Sequence, residues 1–347
     1  MRLNAAVQGV PLLELRELVA NLERAGCHGA YFAEISHDPF LAVAASAGAT
    51  RMTLGTGIAL AFPRGPTSLA YAAHDLTVAT AGTFVLGLGP QVRAHVERRF
   101  GIEWGQPVKR MGEVVHAIRA IWDCWESDSD LRFDGEFYRL SLMPPAFRPE
   151  PSPYPTAPIY LAAVGPAMAR LAGEVADGLF VHAFSTPSYV RRVILPAVEQ
   201  GLALSGRTRK DFQLCYSAFV AHGTTAADAD EARREMRRGV AFYASTPDYR
   251  RVLEIHGVGD LQPRLQRMAK DGAWERMAAE ISDEVLDLFC ISGDADELCG
   301  QIRERWGGVV DQISLPCDIW TAHMDDSAWI AATADLCNEH RGGIATR

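Results

Sequence analysis

The stretch YFAEISHDPF (residues 31–40) sets two carboxylates and an imidazole, Glu34, His37 and Asp38, directly behind an apolar run. A carboxylate and an imidazole in one loop can donate and accept protons or orient a bound group, which is what acid–base chemistry requires. The three do not read alike. Asp38 precedes Pro39, and an Asp-Pro pair starts a helix, because the carboxylate caps free N–H groups and proline suits the first turn. Glu34 closes an apolar strand, has no helix to cap, and reads as the catalytic member. His37 fits either use.

Three further segments carry residues of a binding type. In LGTGIALAF (54–62), Gly55 and Gly57 remove side chains from an apolar strand, the pattern of close ligand approach or of a tight barrel corner. GLGPQVRAH (87–95) and LAAVGPAMARLAGE (161–174) end strands in small residues ahead of helices, exposing N–H donors that suit a phosphate or a carbonyl. Arg93, Arg98 and Arg99 read as a solvated helix face.

The elements around these segments alternate. LNAAVQ (3–8) reads as a strand, and PLLELRELVANLERAG (11–26) as a helix begun by Pro11, ended by Gly26 and apolar at helical spacing. GAYFAE, RMTLGTGIAL and TFVLGLG continue the strands, with helices between them and a closing helix over 109–125. The rhythm breaks over 126–157, where LRFDGEFYRL signals a hairpin with a DG turn and a proline-dense segment follows. It resumes with APIYLAAV, DGLFVHAF and DFQLCYSAFVAH (211–222), a helix over 225–242, a second excursion over 243–290 made of short helices, and a last helix and strand ending in VVDQISL. The count is eight strands. The pattern predicts an α/β protein: one (β/α)8 TIM barrel spanning 1–347, with insertions after strands four and seven and a C-terminal tail over 316–347. A doubly wound sheet would place GxGxxG in its first unit, whereas GLGPQV supplies two of the three glycines and sits in the fourth. In a barrel, all four segments fall at the C-terminal ends of strands, where active sites form.

Bulk properties narrow the class. The chain has 347 residues and a formal charge of −9, which argues against nucleic acid as a partner, since neutralising phosphates needs clustered Lys and Arg. No apolar run is long enough to span a bilayer, and the start has charges and Pro11 where a secretory signal needs an unbroken apolar stretch. The seven cysteines contain no CxxC pair and the ten histidines no HxH or HExxH spacing, so the expectation is a reduced cytoplasmic protein without metal.

Taken together, RMTLGTGI, GTFVLGLGPQVRAHVERRFG, RAIWDCW, FDGEFYRL, IYLAAVGPAMARLAGEVADGL and LFCISGDADELCGQIRERWGG resemble the luciferase-like monooxygenase superfamily, over essentially the whole chain. The combination is similar to the branch that depends on coenzyme F420, a 5-deazaflavin. The resemblance implies a bacterial luciferase-like barrel with a non-prolyl cis peptide at the end of strand three, here Gly57-Ile58, bulging behind the cofactor ring. It implies that Gly89, Pro90 and Gln91 contact the ring or ribityl chain, and that Ala163, Val164, Gly165 and Pro166 hold the cofactor phosphate. Glu34 matches the family's acidic position on strand two. Several deazaflavin relatives have an Asp-His pair there, whereas Ile35 follows Glu34 in this chain, so the protonating role falls to His37 or to His182 in LFVHAF. The implied activity is hydride transfer between F420 and a small organic substrate. The alternatives are a monooxygenase using reduced FMN and a non-catalytic cofactor-binding homologue. Family members commonly form homodimers through the early helices, here 39–48 and 67–81.

Overall fold

A computed structural model describes residues 1–223 and 225–338. Part of the expected C-terminal tail, 339–347, lies outside the described residues. Eight parallel strands close into a barrel: β1 (Arg2–Val7), β2 (Gly29–Phe32), β3 (Thr53–Thr56), β4 (Phe84–Gly89), β5 (Ile159–Ala163), β6 (Gly178–Val181), β7 (Gln213–Ser217) and β8 (Gln312–Pro316). Each pairs with the next, and β8 returns to β1 with Arg2 opposite Gln312 and Ala5 opposite Leu315. The (β/α)8 expectation therefore holds strand for strand.

Alternation along the strands sorts side chains to two faces. Leu3, Ala5, Val7, Ala30 and Phe32 belong to the large core between strands and helices. Tyr31, Val85, Tyr160, Phe180 and Cys215 form a separate cluster that fills the barrel, with the Phe180 ring 5.0 Å from Tyr31 and 5.5 Å from Tyr160. At the N-terminal end of the barrel, Gln312 Oε1 accepts from Asn4 Nδ2 (3.0 Å) and from the Tyr31 hydroxyl (3.2 Å), while Gln312 Nε2 donates to Gln213 Oε1 (3.2 Å). Arg2 also donates to Gln213 Oε1, completing a polar floor.

Two strands read as continuous in the sequence are broken. The third stops at Thr56, and after the cis peptide Gly57-Ile58 the chain pairs again with β4 through Ala59–Leu60. The seventh splits at Ala218, whose N–H bonds to Ser314 O. Phe219–Ala221 leaves the barrel to pair in parallel with Cys290–Ser292. That second partner is three residues long, too short for an alternation signal. The hairpin pairs Phe133 with Leu140 and Asp134 with Arg139. Glu113 of the helix Pro107–Ser127 accepts the N–H groups of Glu136, Phe137 and Tyr138, pinning the DG turn to the barrel's outer layer. Among the described residues no helix is long and apolar enough to cross a membrane.

Candidate active site

The strands are mostly buried, and the residues just past their C-terminal ends are more exposed. Gly57, Ile58, Pro90, Gln91, Val164, Gly165, Pro166 and His182 are all partly exposed at the C-terminal mouth, while Gly89 and Ala163, one step back, are buried. The segments singled out in the sequence thus converge on one surface, as the barrel requires.

The cis peptide lies where the resemblance placed it. Gly57 N–H donates to Phe32 O at 2.8 Å, and Ile58 O accepts from Glu34 N–H at 3.3 Å, so the bulge is stitched to the end of β2. The glycines around it are explained by packing rather than by a ligand. A Cβ on Gly55 would come within 2.8 Å of Val85 O and 2.9 Å of the Tyr31 ring, and one on Gly57 within 2.7 Å of Tyr31 Cβ. On the adjoining strand a Cβ on Gly87 would lie 1.9 Å from Thr56 O. The Thr56 hydroxyl closes that seam, donating to Gly87 O (2.7 Å) and accepting from Gly87 N–H (2.9 Å). The Ile58 side chain occupies the space beside Gly89, leaving an apolar wall at the mouth.

Glu34, read from the sequence as catalytic because it has no helix to cap, is bonded into the fold on one oxygen. Its side chain is 8% exposed, and Oε2 accepts from Leu60 N–H at 2.8 Å and from Arg64 Nη1 at 2.7 Å. Arg64 also donates to Leu60 O (3.1 Å) and, through Nη2, to Asp38 Oδ2 (2.7 Å). Asp38 caps the helix Pro39–Ser46 as read from the sequence, with Oδ1 accepting from Phe40 N–H and Leu41 N–H. Burial works to raise the Asp38 pKa, but the Arg64 guanidinium and the two N–H groups outweigh it and hold the carboxyl below its usual range. Burial likewise opposes the charge of Arg64, and its bonds to Glu34 and Asp38 prevail, raising its pKa. Sequence reasoning missed Arg64, which stands in the loop FPRGP with no local pattern to mark it. His37 is exposed and joins none of these bonds.

At the end of β6, His182 sits among aromatic rings from the second excursion: Tyr243 at 4.7 Å and Tyr249 at 4.9 Å between centroids. Its Nδ1 accepts the Phe184 N–H at 3.0 Å, which leaves the ring proton on Nε2, 3.2 Å from the Tyr249 hydroxyl. Burial pushes its pKa down to about 4, so the ring is neutral at pH 7.

The turn after β5 is the third part of the mouth. Gly165 is the N-cap of the helix Pro166–Val175, no side chain caps that helix, and a Cβ at Gly165 would meet nothing within 4 Å. Tyr189 fixes the turn from behind by donating to Val164 O at 3.0 Å. The residues present suit a flat ring with a phosphate tail: an apolar wall at Ile58, an open backbone cradle at Gly165, and N–H donors of a helix start. The Gln91 amide oxygen is already engaged by Val92 N–H (2.9 Å), so its NH2 is the end left for contact. Among the described residues no group of three or more His, Cys, Asp or Glu side chains is placed to hold a metal.

Comparison with known proteins agrees with this geometry. The family model described as luciferase-like monooxygenase matches residues 2–312. An uncharacterized protein of Mycobacterium tuberculosis is 46% identical over 293 residues, covering 84% of this chain and 86% of that protein. The 5,10-methylenetetrahydromethanopterin reductase of Archaeoglobus fulgidus is 30% identical over 266 residues, covering 75% of each. The solved structure of the coenzyme F420-dependent tetrahydromethanopterin reductase from Methanopyrus kandleri superposes with a TM-score of 0.76 at 18% identity, covering 96% of this chain and 98% of that one. With the barrel, the cis bulge and a match along nearly its whole length, the chain belongs to the luciferase-like monooxygenase family of redox enzymes.

Proposed function

We propose that the chain is a coenzyme F420-dependent oxidoreductase that moves a hydride between the deazaflavin and a small organic substrate. The observation that carries this reading is the mouth itself. A bulge at Gly57-Ile58 is bonded to Glu34 at one side, and an open Gly165 cradle with helix N–H donors lies at the other. Curated relatives whose names state F420 dependence, 28–29% identical over 71–82% of this chain, support a deazaflavin over a flavin. When bound, the deazaflavin supplies a two-electron hydride carrier, and the protein supplies binding, orientation and proton movement.

Roles follow from the contacts. Ile58 backs the ring, with Gly89, Pro90 and the Gln91 NH2 along its edge, and Ala163 to Pro166 receive the phosphate. His182 donates Nε2–H to the Tyr249 oxygen, which leaves the Tyr249 hydroxyl proton to hydrogen-bond a substrate oxygen. The aromatic rings of Phe184, Tyr243 and Tyr249 enclose that side and exclude water. Glu34, charge-paired and doubly bonded at Oε2, serves as a fixed acceptor through Oε1 rather than as the acid. Fluorescence titration with F420 and with FMN tests the cofactor: F420 is expected to bind at micromolar Kd and FMN at least about tenfold more weakly. Tighter FMN binding together with oxygen-dependent turnover would overturn the reading.

A further inference from the structure

We propose that Arg64 is the positioning residue of the mouth, the group that sets the place of the Ile58 wall and the direction of the free Glu34 oxygen. The inference rests on the reading of the mouth as a cofactor site, and its own observation is the bond pattern of one guanidinium. Arg64 touches three separate pieces of chain. It bonds Glu34 Oε2 at the end of β2, Asp38 Oδ2 at the start of the following helix, and Leu60 O just beyond the bulge. Its guanidinium carbon also lies 5.3 Å from the centre of the Phe40 ring on that helix. Two of the three partners are carboxylates, and Lys could not reproduce the fork because its ammonium offers a point charge rather than a planar set of donors.

The consequence for Glu34 is specific. Oε2 is consumed by Leu60 N–H and by Arg64, so the side chain cannot rotate without breaking both bonds. Among the described residues Oε1 makes no hydrogen bond, and the 8% of the Glu34 side chain that stays exposed lies at the mouth. A carboxylate so fixed presents one lone-pair direction to a bound ring. Arg64 acts on that ring through Glu34 and through the backbone of Leu60, two residues past Ile58. It is a positioning residue and not a catalytic one.

The test uses the full-length protein with Arg64→Met, Arg64→Lys, Arg64→Ala and Glu34→Gln, alone and with Arg64→Met and Glu34→Gln combined. F420 Kd is expected to rise about tenfold in Arg64→Met and similarly in Glu34→Gln, with the double variant no worse than about twofold beyond either, because the two side chains act as one unit. Arg64→Lys should recover only part of the loss. Added methylguanidinium should restore F420 affinity to Arg64→Ala, which a merely structural loss would not allow. Multiplicative losses in the double variant, or full recovery by Lys, would overturn the proposal. If the wild-type protein binds FMN in place of F420, the cofactor reading fails while the same cycle with FMN still decides the role of Arg64. If it binds neither, hydrogen exchange decides it. Arg64→Met should speed exchange at the Leu60 amide by more than about tenfold while the amides of β1 and β8 keep their wild-type rates. Uniform acceleration across the barrel, or none at Leu60, would sink the idea.

Discussion

The two ends of the barrel use polar residues in opposite ways. At the floor, Asn4, Tyr31, Gln213 and Gln312 point into the barrel and bond to one another, and Asn4 and Gln312 are each 2% exposed. Their capacity is spent on the fold. At the mouth, Glu34 keeps one oxygen unbonded among the described residues, the helix after Gly165 starts without a side-chain cap there, and His182 holds its remaining N–H against a tyrosine hydroxyl rather than a backbone carbonyl. Buried polar groups must be satisfied, and a set that satisfies itself is architecture. Polar groups held rigidly by some bonds while others stay open are what a ligand can use. The contrast locates the site without reference to any relative.

The largest break comes from the barrel wall between the two ends. In Gly87→Ala the new Cβ would lie 1.9 Å from Thr56 O, and a backbone oxygen in a closed sheet cannot step aside. Unfolding stability should fall by roughly 3 kcal/mol or more, measured by urea denaturation. A loss within experimental error would show that the seam between β3 and β4 can open. At the floor, Gln312→Leu leaves the Asn4 amide and the Tyr31 hydroxyl without their acceptor, a cost of about 2 kcal/mol for buried donors. Cofactor affinity should change little. A variant as stable as wild type, or one that loses cofactor binding, would collapse the distinction between floor and mouth.

How far the sequence carried this picture depends on whether the information was local. Strand and helix periodicity is local, and all eight strands and their order were legible from it. The Asp38 cap was legible for the same reason, since cap and helix are adjacent. Glu34 was placed correctly at the mouth but given too simple a task, because Leu60 N–H and Arg64 lie 26 and 30 positions away and meet it only when the barrel closes. Arg64 itself had no signal at all. The glycines at 55 and 57 were visible, but their reason was not: the Tyr31 side chain that excludes a Cβ there belongs to the neighbouring strand. The break at Ala218 and the short strand at 290–292 escaped because three residues carry no period. The cis bond at Gly57-Ile58 was reached only through family resemblance.

At the mouth the sign of the comparison reverses: substitutions should spare the fold and cost the ligand. Gly165 has ordinary extended backbone (φ −101°, ψ 162°) and open space where a side chain would go. Gly165→Val should therefore melt close to wild type while F420 Kd rises about tenfold, as the side chain fills the cradle. Equal affinity would mean that the cofactor phosphate lies elsewhere.

The smallest effect concerns His182, where the mouth does tax the fold. The ring is neutral in the folded chain with a pKa of about 4, and an unfolded histidine titrates near about 6.5. As pH falls through the unfolded value, the unfolded chain takes up a proton that the folded chain refuses. His182 therefore lowers stability progressively from about pH 6.5 down to about pH 4 and has no effect above that window. His182→Asn keeps an acceptor for Phe184 N–H and removes the titration. Between pH 7 and 6, urea midpoints of the wild type should fall more than those of the variant, by roughly half a kcal/mol in stability. The carboxylates common to both proteins cancel in that difference. Parallel pH dependences would show that His182 takes up its proton in the folded protein as readily as in the unfolded chain. A charged ring would donate from both nitrogens, the Phe184 N–H would lose its acceptor, and the neutral pairing with Tyr249 would have to be abandoned.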